Sequence, residues 1–167
     1  MTAIVTCRDN DGQVAMACDG RACYESLGLL ASDSVQKIYQ LTSSLLVGLA
    51  SDRYMDERVY SLLARVVAPK YPPDIFEALV ARLQEVPWVF GNFTSTLLFA
   101  SPTQFFKGYI CWDKETNKME VTLAELQGPV VGLGSGSDIA VGAASSLLFE
   151  HSAQVAARRG IEAAVRY

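Results

Sequence analysis

The sequence predicts an α+β protein in which two stacked β-sheets are covered by helices on both outer faces, a four-layer αββα sandwich. Short apolar runs separated by turn residues occupy the first fifty residues and positions 95–133. Apolar positions at three- and four-residue spacing occupy positions 55–83 and return after 138. Two helix pairs separated by strand blocks can cover the outer faces of two sheets. Pattern alone leaves other α+β arrangements open.

The first fifty residues predict two strand pairs. Residues 3–7 and 14–18 are strand-like, and Asp11-Gly12 between them is a dipeptide typical of tight hairpin turns. Residues 35–39 then alternate between apolar and polar, and residues 45–50 are continuously apolar. A continuous apolar run of that length suits a central strand that is buried on both faces.

The remaining elements follow from periodicity and from helix boundary residues. A helix is predicted over 55–67, with Asp52 as its N-cap and Pro69 beyond its end. A second helix opens at Pro72 and ends before Pro87. Strands are predicted over 95–100, 105–112, 118–123 and 130–133, and helices over 139–149 and from 152 onward.

Composition limits the classes of function. A chain of 167 residues and 18.1 kDa predicts a single domain over 1–167. A net charge of −4 and a pI near 5.0 argue against nucleic-acid binding, because phosphate backbones attract cationic surfaces. The sequence has neither an apolar run long enough for a membrane span nor a basic-then-apolar leader, so a cytoplasmic protein is expected.

Cysteine and histidine usage argues against a metal site. The four cysteines lack Cys-x-x-Cys spacing, and the chain has a single histidine, His151. Reduced thiols are therefore expected, and no cofactor is predicted.

Five short segments carry the functional interpretation. They are Thr2-Ala3-Ile4-Val5, Ala17-Cys18-Asp19-Gly20-Arg21-Ala22, Gln36-Lys37-Ile38, Gly48-Leu49-Ala50-Ser51-Asp52 and Gly132-Leu133-Gly134-Ser135-Gly136. In order and approximate spacing they resemble the β-subunits of proteasomes and the bacterial HslV-type peptidases, which are N-terminal-nucleophile hydrolases. The resemblance implies the αββα fold of that superfamily. It also implies a threonine-type peptidase that works in a self-compartmentalising ring.

The resemblance assigns the nucleophile to Thr2, which would become the first residue once Met1 is removed. Its hydroxyl would attack, and its freed α-amine would act as general base. Such an amine has an unperturbed pKa of about 7.7–8.0, so a substantial neutral fraction exists near physiological pH. Lys37 would supply a cation beside the hydroxyl, and Asp19 would keep that lysine charged and oriented.

Further roles follow from the same resemblance. The Gly48 N–H would stabilise the tetrahedral oxyanion, and Ser135 would hydrogen-bond around the threonine amine. Cys23 and Leu46 are expected in the wall of an apolar or neutral substrate pocket, and Arg21 is expected to be structural. The implied partners are a polypeptide substrate, other copies of the chain in a ring and a regulatory ATPase.

Each motif alone has an ordinary structural explanation. Asp19 before Gly20 suits a turn, Lys37 suits a solvated strand edge, and the segment around Ser135 lacks the lysine and the spacing of a P-loop. A Ser-His-Asp triad would need His151, which follows an apolar helix and is expected to be exposed or to cap a helix. The five segments in order favour one shared site.

Two departures from the family pattern keep other functions open. A retained Met1 would hold the Thr2 nitrogen in an amide and remove the general base. The family also continues past the last helix with an aspartate and closing strands, whereas this sequence stops at Tyr167, so those strands are expected to be missing. The alternatives are a catalytically inactive assembly subunit and a small-molecule amidase of the same superfamily.

Overall fold

The computed structural model of the protein describes residues 2–20, 22–24, 29–32, 35–51, 53–65, 71–85 and 92–166. Its strands are β1 Ile4–Arg8, β2 Val14–Cys18, β3 Ala22–Tyr24, β4 Leu29–Ser32, β5 Ile38–Thr42, β6 Leu45–Ser51, β7 Phe93–Ala100, β8 Phe105–Asp113, β9 Lys118–Leu126 and β10 Val130–Leu133. Its helices are α1 Arg53–Leu63, α2 Pro72–Glu85, α3 Ser137–Leu147 and α4 Ala153–Arg166. Within the described ranges, no helix is long and apolar enough to cross a membrane.

The strands form two main antiparallel sheets. The larger sheet has the order β5-β6-β7-β8-β9, and the smaller has the order β10-β1-β2. Helices α1 and α2 pack on the larger sheet, whereas α3 and α4 pack on the smaller one. The two sheets face each other across a shared apolar layer. The predicted four-layer αββα sandwich is thus confirmed.

Three buried clusters separate these layers. Large side chains fill the space between the five-stranded sheet and α1 with α2, among them Leu79, Leu97 and Phe99. Between the two sheets lie Ile4, Leu98, Ala100, Phe105, Val131 and Leu133. Mostly alanines lie between the small sheet and α3 with α4. The chain start therefore enters β1 between an aliphatic layer and an alanine layer.

Most predicted elements are present, with shifted boundaries. The first hairpin, α2 and the strands after it agree with the sequence prediction, and α3 begins at Ser137, two positions early. Strand β5 begins only at Ile38, because the preceding segment turns toward Gly20, whose carbonyl accepts the Val35 N–H at 2.8 Å. Helix α1 ends at Leu63, and the predicted boundary residues Asp52, Pro69 and Pro87 lie outside the described residues.

The strand pair β3–β4 was not predicted. These strands have three and four residues, and their pairing shifts register between Ala22 and Cys23. Strands that short contain too few positions to establish a period of two in the sequence.

Candidate active site

The main chain around Thr2 is fixed on both sides of its peptide bond to Ala3. The Ala3 N–H donates to Asp19 Oδ1 at 2.5 Å, and the Asp19 N–H donates back to the Ala3 carbonyl at 3.0 Å. The Gly136 N–H donates to the Thr2 carbonyl at 3.1 Å. Thr2 itself is half-buried, so its side chain can meet solvent while its backbone is held.

The hairpin register explains why Asp19 reaches the chain start. A tight turn joins β1 and β2, and Asp9 Oδ1 accepts the backbone N–H groups of Asp11 and Gln13 there. The resulting register pairs Ile4 with Cys18, so the next residue along β2 lies opposite the residue before Ile4. A one-residue slip would turn the Asp19 side chain to the other face of the sheet.

Lys37 joins Thr2 to Asp19. Its Nζ lies 3.4 Å from Thr2 Oγ1 and 3.0 Å from Asp19 Oδ2. The Lys37 and Asp19 side chains are only 5% and 6% exposed, so the ion pair is shielded from water. A buried charge requires such a partner, because an uncompensated one carries a desolvation cost of several kcal/mol. The Thr2 hydroxyl therefore faces a held ammonium group.

Ser135 approaches Thr2 from the turn after β10. The Thr2 N–H donates to Ser135 Oγ at 3.3 Å, and Ser135 is exposed. The turn is closed by the Ser137 N–H, which donates to the Gly134 carbonyl at 3.1 Å. The structure thus brings Thr2, Asp19, Lys37 and Ser135 together around one side chain.

Gly48 lies in the interior of β6, opposite Ile38 on one side and Leu98 on the other. The Leu49 N–H donates across to the Lys37 carbonyl at 2.8 Å, and alternation along the strand turns the Gly48 N–H toward β7 instead. A Cβ on Gly48 would lie 3.0 Å from Ile4 and 3.1 Å from the Met16 sulfur. The geometry therefore gives this glycine a packing role, and its part as oxyanion donor stays a prediction.

The two residues predicted for the wall of the substrate pocket, Cys23 and Leu46, lie in different strands. Leu46 is half-buried on the same face of β6 as Gly48 and packs into the layer between the sheets. Cys23 lies in β3 opposite Leu30, where only the course of the backbone is described. Arg21 lies outside the described residues. A substrate pocket formed by Cys23 and Leu46 stays a prediction.

Cys18 lies next to the Lys37–Asp19 ion pair, and the sequence predicts no role for it in the site. Burial raises the pKa of its thiol, while the Lys37 backbone N–H and ammonium group oppose that rise. Its position next to Asp19 was the available signal, and its side chain is partly buried in the layer between the sheets.

His151 lies beside the turn that joins β1 to β2, at the opposite end of β1 from Thr2. It is exposed and lines a surface cavity of about 350 Å³ with Asp9 and Asp11. The Asp9 carboxylate is engaged by backbone N–H groups, including that of Ala153 at the start of α4. Within the part of the chain that the structure describes, no group of three His, Cys, Asp or Glu side chains could hold a metal ion.

Comparison with known proteins identifies relatives of the fold. Neither a protein-family model nor a curated protein sequence matches the chain. Eukaryotic HslV from Trypanosoma brucei is 17% identical, with a TM-score of 0.68 over 98% of this chain and 90% of that one. BPH from Thiobacillus denitrificans is 21% identical, with a TM-score of 0.69 over 99% and 90%. The chain therefore shares its fold with these two proteins, one of which is an HslV.

Proposed function

We propose that this protein is a threonine-type peptidase subunit that hydrolyses peptide bonds with Thr2 as its N-terminal nucleophile, once Met1 has been removed. One observation carries the proposal: the buried Lys37 ammonium group lies 3.4 Å from the Thr2 hydroxyl while Asp19 holds it at 3.0 Å. A surface threonine has no need of a buried cation beside its hydroxyl.

The Thr2 amine would act as the base. After removal of Met1, the nitrogen that now donates to Ser135 Oγ belongs to a free α-amine on the same residue as the hydroxyl. The neutral amine takes the hydroxyl proton as Oγ1 attacks the carbonyl carbon of the scissile bond. The proton then passes to the leaving amine, which leaves an ester on Thr2. Water hydrolyses that ester and restores the hydroxyl.

Lys37 and Asp19 would favour this attack electrostatically. An ammonium group near Oγ1 stabilises the negative charge that develops on the oxygen and disfavours protonation of the neighbouring amine. Asp19 forms a buried ion pair with the lysine through one carboxylate oxygen, and its other oxygen accepts the Ala3 N–H. Gly48 stays the predicted donor to the oxyanion, through its backbone N–H.

The test is hydrolysis of small fluorogenic peptides by protein whose first residue is Thr2, verified by mass. Thr2→Ala is expected to lose at least about 10³-fold in kcat/KM, since it removes the nucleophile. Thr2→Ser keeps a hydroxyl at the same position and is expected to retain measurable turnover. An unchanged kcat/KM in Thr2→Ala would exclude Thr2 as the nucleophile. If protein that begins at Thr2 shows no turnover, the catalytically inactive assembly subunit is favoured instead.

We further propose a ring of copies of this chain in the cytoplasm, with unfolded polypeptides as substrates and an ATPase as regulator. Support comes from apolar side chains that face outward on the α3–α4 layer. Phe149 is 89% exposed in the turn between these helices, and Ile139, Val155 and Val165 are also exposed. Where exposed apolar groups form a contiguous patch, that patch commonly marks a subunit contact. Native mass spectrometry should show an oligomer that Phe149→Ser weakens, and a monomer at all concentrations would exclude the ring.

A further inference from the structure

Gly134 lies directly against the main chain of Thr2. Its backbone has a φ of +93°, in the left-handed region that favours glycine. A Cβ built on Gly134 would overlap the carbonyl oxygen and carbon of Thr2 and would lie 3.1 Å from the Thr2 Cβ. These are mostly main-chain atoms, so a side chain at position 134 could be accommodated only if Thr2 itself moved.

The same turn contacts Thr2 at two further points. The Gly136 N–H donates to the Thr2 carbonyl at 3.1 Å, and Ser135 Oγ accepts the Thr2 N–H at 3.3 Å. The Ala140 N–H donates to the Gly136 carbonyl at 3.2 Å, which ties the turn to α3. Gly134 therefore packs against the main chain of Thr2, while Ser135 and Gly136 hydrogen-bond to its nitrogen and its carbonyl.

We infer that Gly134 is a positioning residue for the nucleophile, acting through the main chain of Thr2; the inference rests on the proposed function. Its missing side chain lets the turn close on the Thr2–Ala3 peptide. That closure sets where the Thr2 hydroxyl lies relative to Lys37 and where the Thr2 nitrogen lies relative to Ser135.

The site geometry leaves little room for displacement. The contacts from Thr2 Oγ1 to Lys37 Nζ and from Thr2 N to Ser135 Oγ are 3.4 Å and 3.3 Å, near the outer limit for hydrogen bonds. A shift of about 1 Å in a reacting group can reduce a catalysed rate by about 100-fold. A Cβ at position 134 would force a shift of that order.

The experiment compares Gly134→Ala with Gly128→Ala. Gly128 also has a left-handed backbone, with a φ of +100°, but a Cβ there meets nothing within 4 Å. Both variants carry the cost of alanine at positive φ, and only Gly134→Ala reaches Thr2. We expect kcat for a fluorogenic peptide to fall about 100-fold in Gly134→Ala while KM changes less than about twofold. Gly128→Ala should keep both constants within about twofold of the parent.

Amide exchange of Ala3 provides a readout that needs no peptidase activity. The Ala3 N–H belongs to the same peptide unit as the Thr2 carbonyl and donates to Asp19 Oδ1. Displacement of that unit should accelerate Ala3 exchange at least about tenfold in Gly134→Ala and leave it unchanged in Gly128→Ala. Equal effects in the two variants, or unchanged Ala3 exchange in Gly134→Ala, would overturn the inference.

The two proposals fail separately. If the parent protein has no turnover but Ala3 exchange responds only to Gly134→Ala, the peptidase proposal fails while the contact of Gly134 with Thr2 stands. If Gly134→Ala does not fold, Gly136→Pro serves instead, because it removes the N–H that holds the Thr2 carbonyl and adds nothing at position 134. Gly136→Pro should then show the same fall in kcat and the same faster Ala3 exchange, and parent-like values for both would overturn the inference.

Discussion

The two helix layers of this molecule are built from side chains of different size. Between the five-stranded sheet and α1 with α2 lie leucines and phenylalanines such as Leu79 and Phe99. Between the small sheet and α3 with α4 lie mainly alanines. Small side chains let the helices approach closely, and a Cβ on Gly160 in α4 would lie 2.5 Å from the Ala140 carbonyl oxygen.

The candidate site depends mainly on the alanine-rich half. Thr2, Asp19 and Ser135 all extend from the small sheet or from the turn between it and α3. Lys37 comes from the start of the five-stranded sheet and reaches across to them. A site with contacts of 3.0–3.4 Å is thus attached mainly to the half whose helices pack on the sheet through alanines.

The largest effect is expected where the two halves meet. Lys37→Met removes the cation at similar side-chain length and should lower kcat/KM at least about 10³-fold, because both the hydroxyl and the amine lose their electrostatic partner. Steady-state hydrolysis of a fluorogenic peptide measures the change. Lys107→Met, on an exposed lysine of β8, is the matched control and should leave the rate unchanged.

Loss of Lys37 also leaves the Asp19 carboxylate buried without its cation. Lys37→Met is therefore expected to destabilise the fold by about 3–5 kcal/mol. The double variant Lys37→Met/Asp19→Asn should recover most of that stability and none of the activity. Recovery of activity in the double variant would show that the lysine acts only through folding.

The next effect separates stability from reactivity. Leu79→Ala removes a fully buried side chain from the core under α1 and α2 and should cost about 2–5 kcal/mol in the free energy of unfolding. Because this core lies on the far side of the five-stranded sheet from Thr2, kcat at a temperature where the variant is folded should stay within about twofold. Chemical denaturation and peptide hydrolysis measure the two quantities, and a large loss of kcat would contradict the separation.

A substitution in the alanine-rich half should cost less free energy of unfolding than Leu79→Ala but should lower kcat more. Gly160→Ala is expected to cost about 1–3 kcal/mol, because α3 and α4 must move apart, and to lower kcat more than Leu79→Ala does. Gly142→Ala in α3 is the control, since a Cβ there meets nothing within 4 Å. That control should gain about 0.5–1 kcal/mol from helix propensity, and an equal loss in both variants would contradict close packing as the cause.

The smallest effect concerns Cys7 in β1. Burial raises the pKa of its thiol from 9.0 to about 12. The neutral thiol therefore contributes stability below about pH 9, and that contribution is lost as the pH rises toward about 12. Cys7→Ala should flatten the decline in unfolding free energy over this range. In native protein at pH 8, peptide mapping after thiol labelling should find Cys111 modified before Cys7.

Much of the fold could be predicted because its signals are local. The Asp11-Gly12 turn fixes the first hairpin, and the hairpin register places Asp19 beside the chain start. Helix α2 begins at Pro72, as the sequence predicts. The likeness to the HslV fold agrees with the resemblance that the five segments showed.

The rest depends on contacts between elements that are distant in sequence. Nothing local shows that Gly48 makes room for Ile4 and Met16, or that its N–H faces β7. The same holds for Gly134, whose contact with Thr2 joins residues 132 positions apart in the chain. Both glycines were noticed as parts of motifs, and only the packing shows what each one contacts.

The most direct measurement is to identify the atom that a peptide β-lactone acylates in protein that begins at Thr2. Tandem mass spectrometry of the labelled protein should place a single ester on Thr2 Oγ1, with the label strongly reduced in Lys37→Met and unchanged in Lys107→Met. A label on Ser135 or Cys18, or an unlabelled Thr2 in processed and folded protein, would contradict the account.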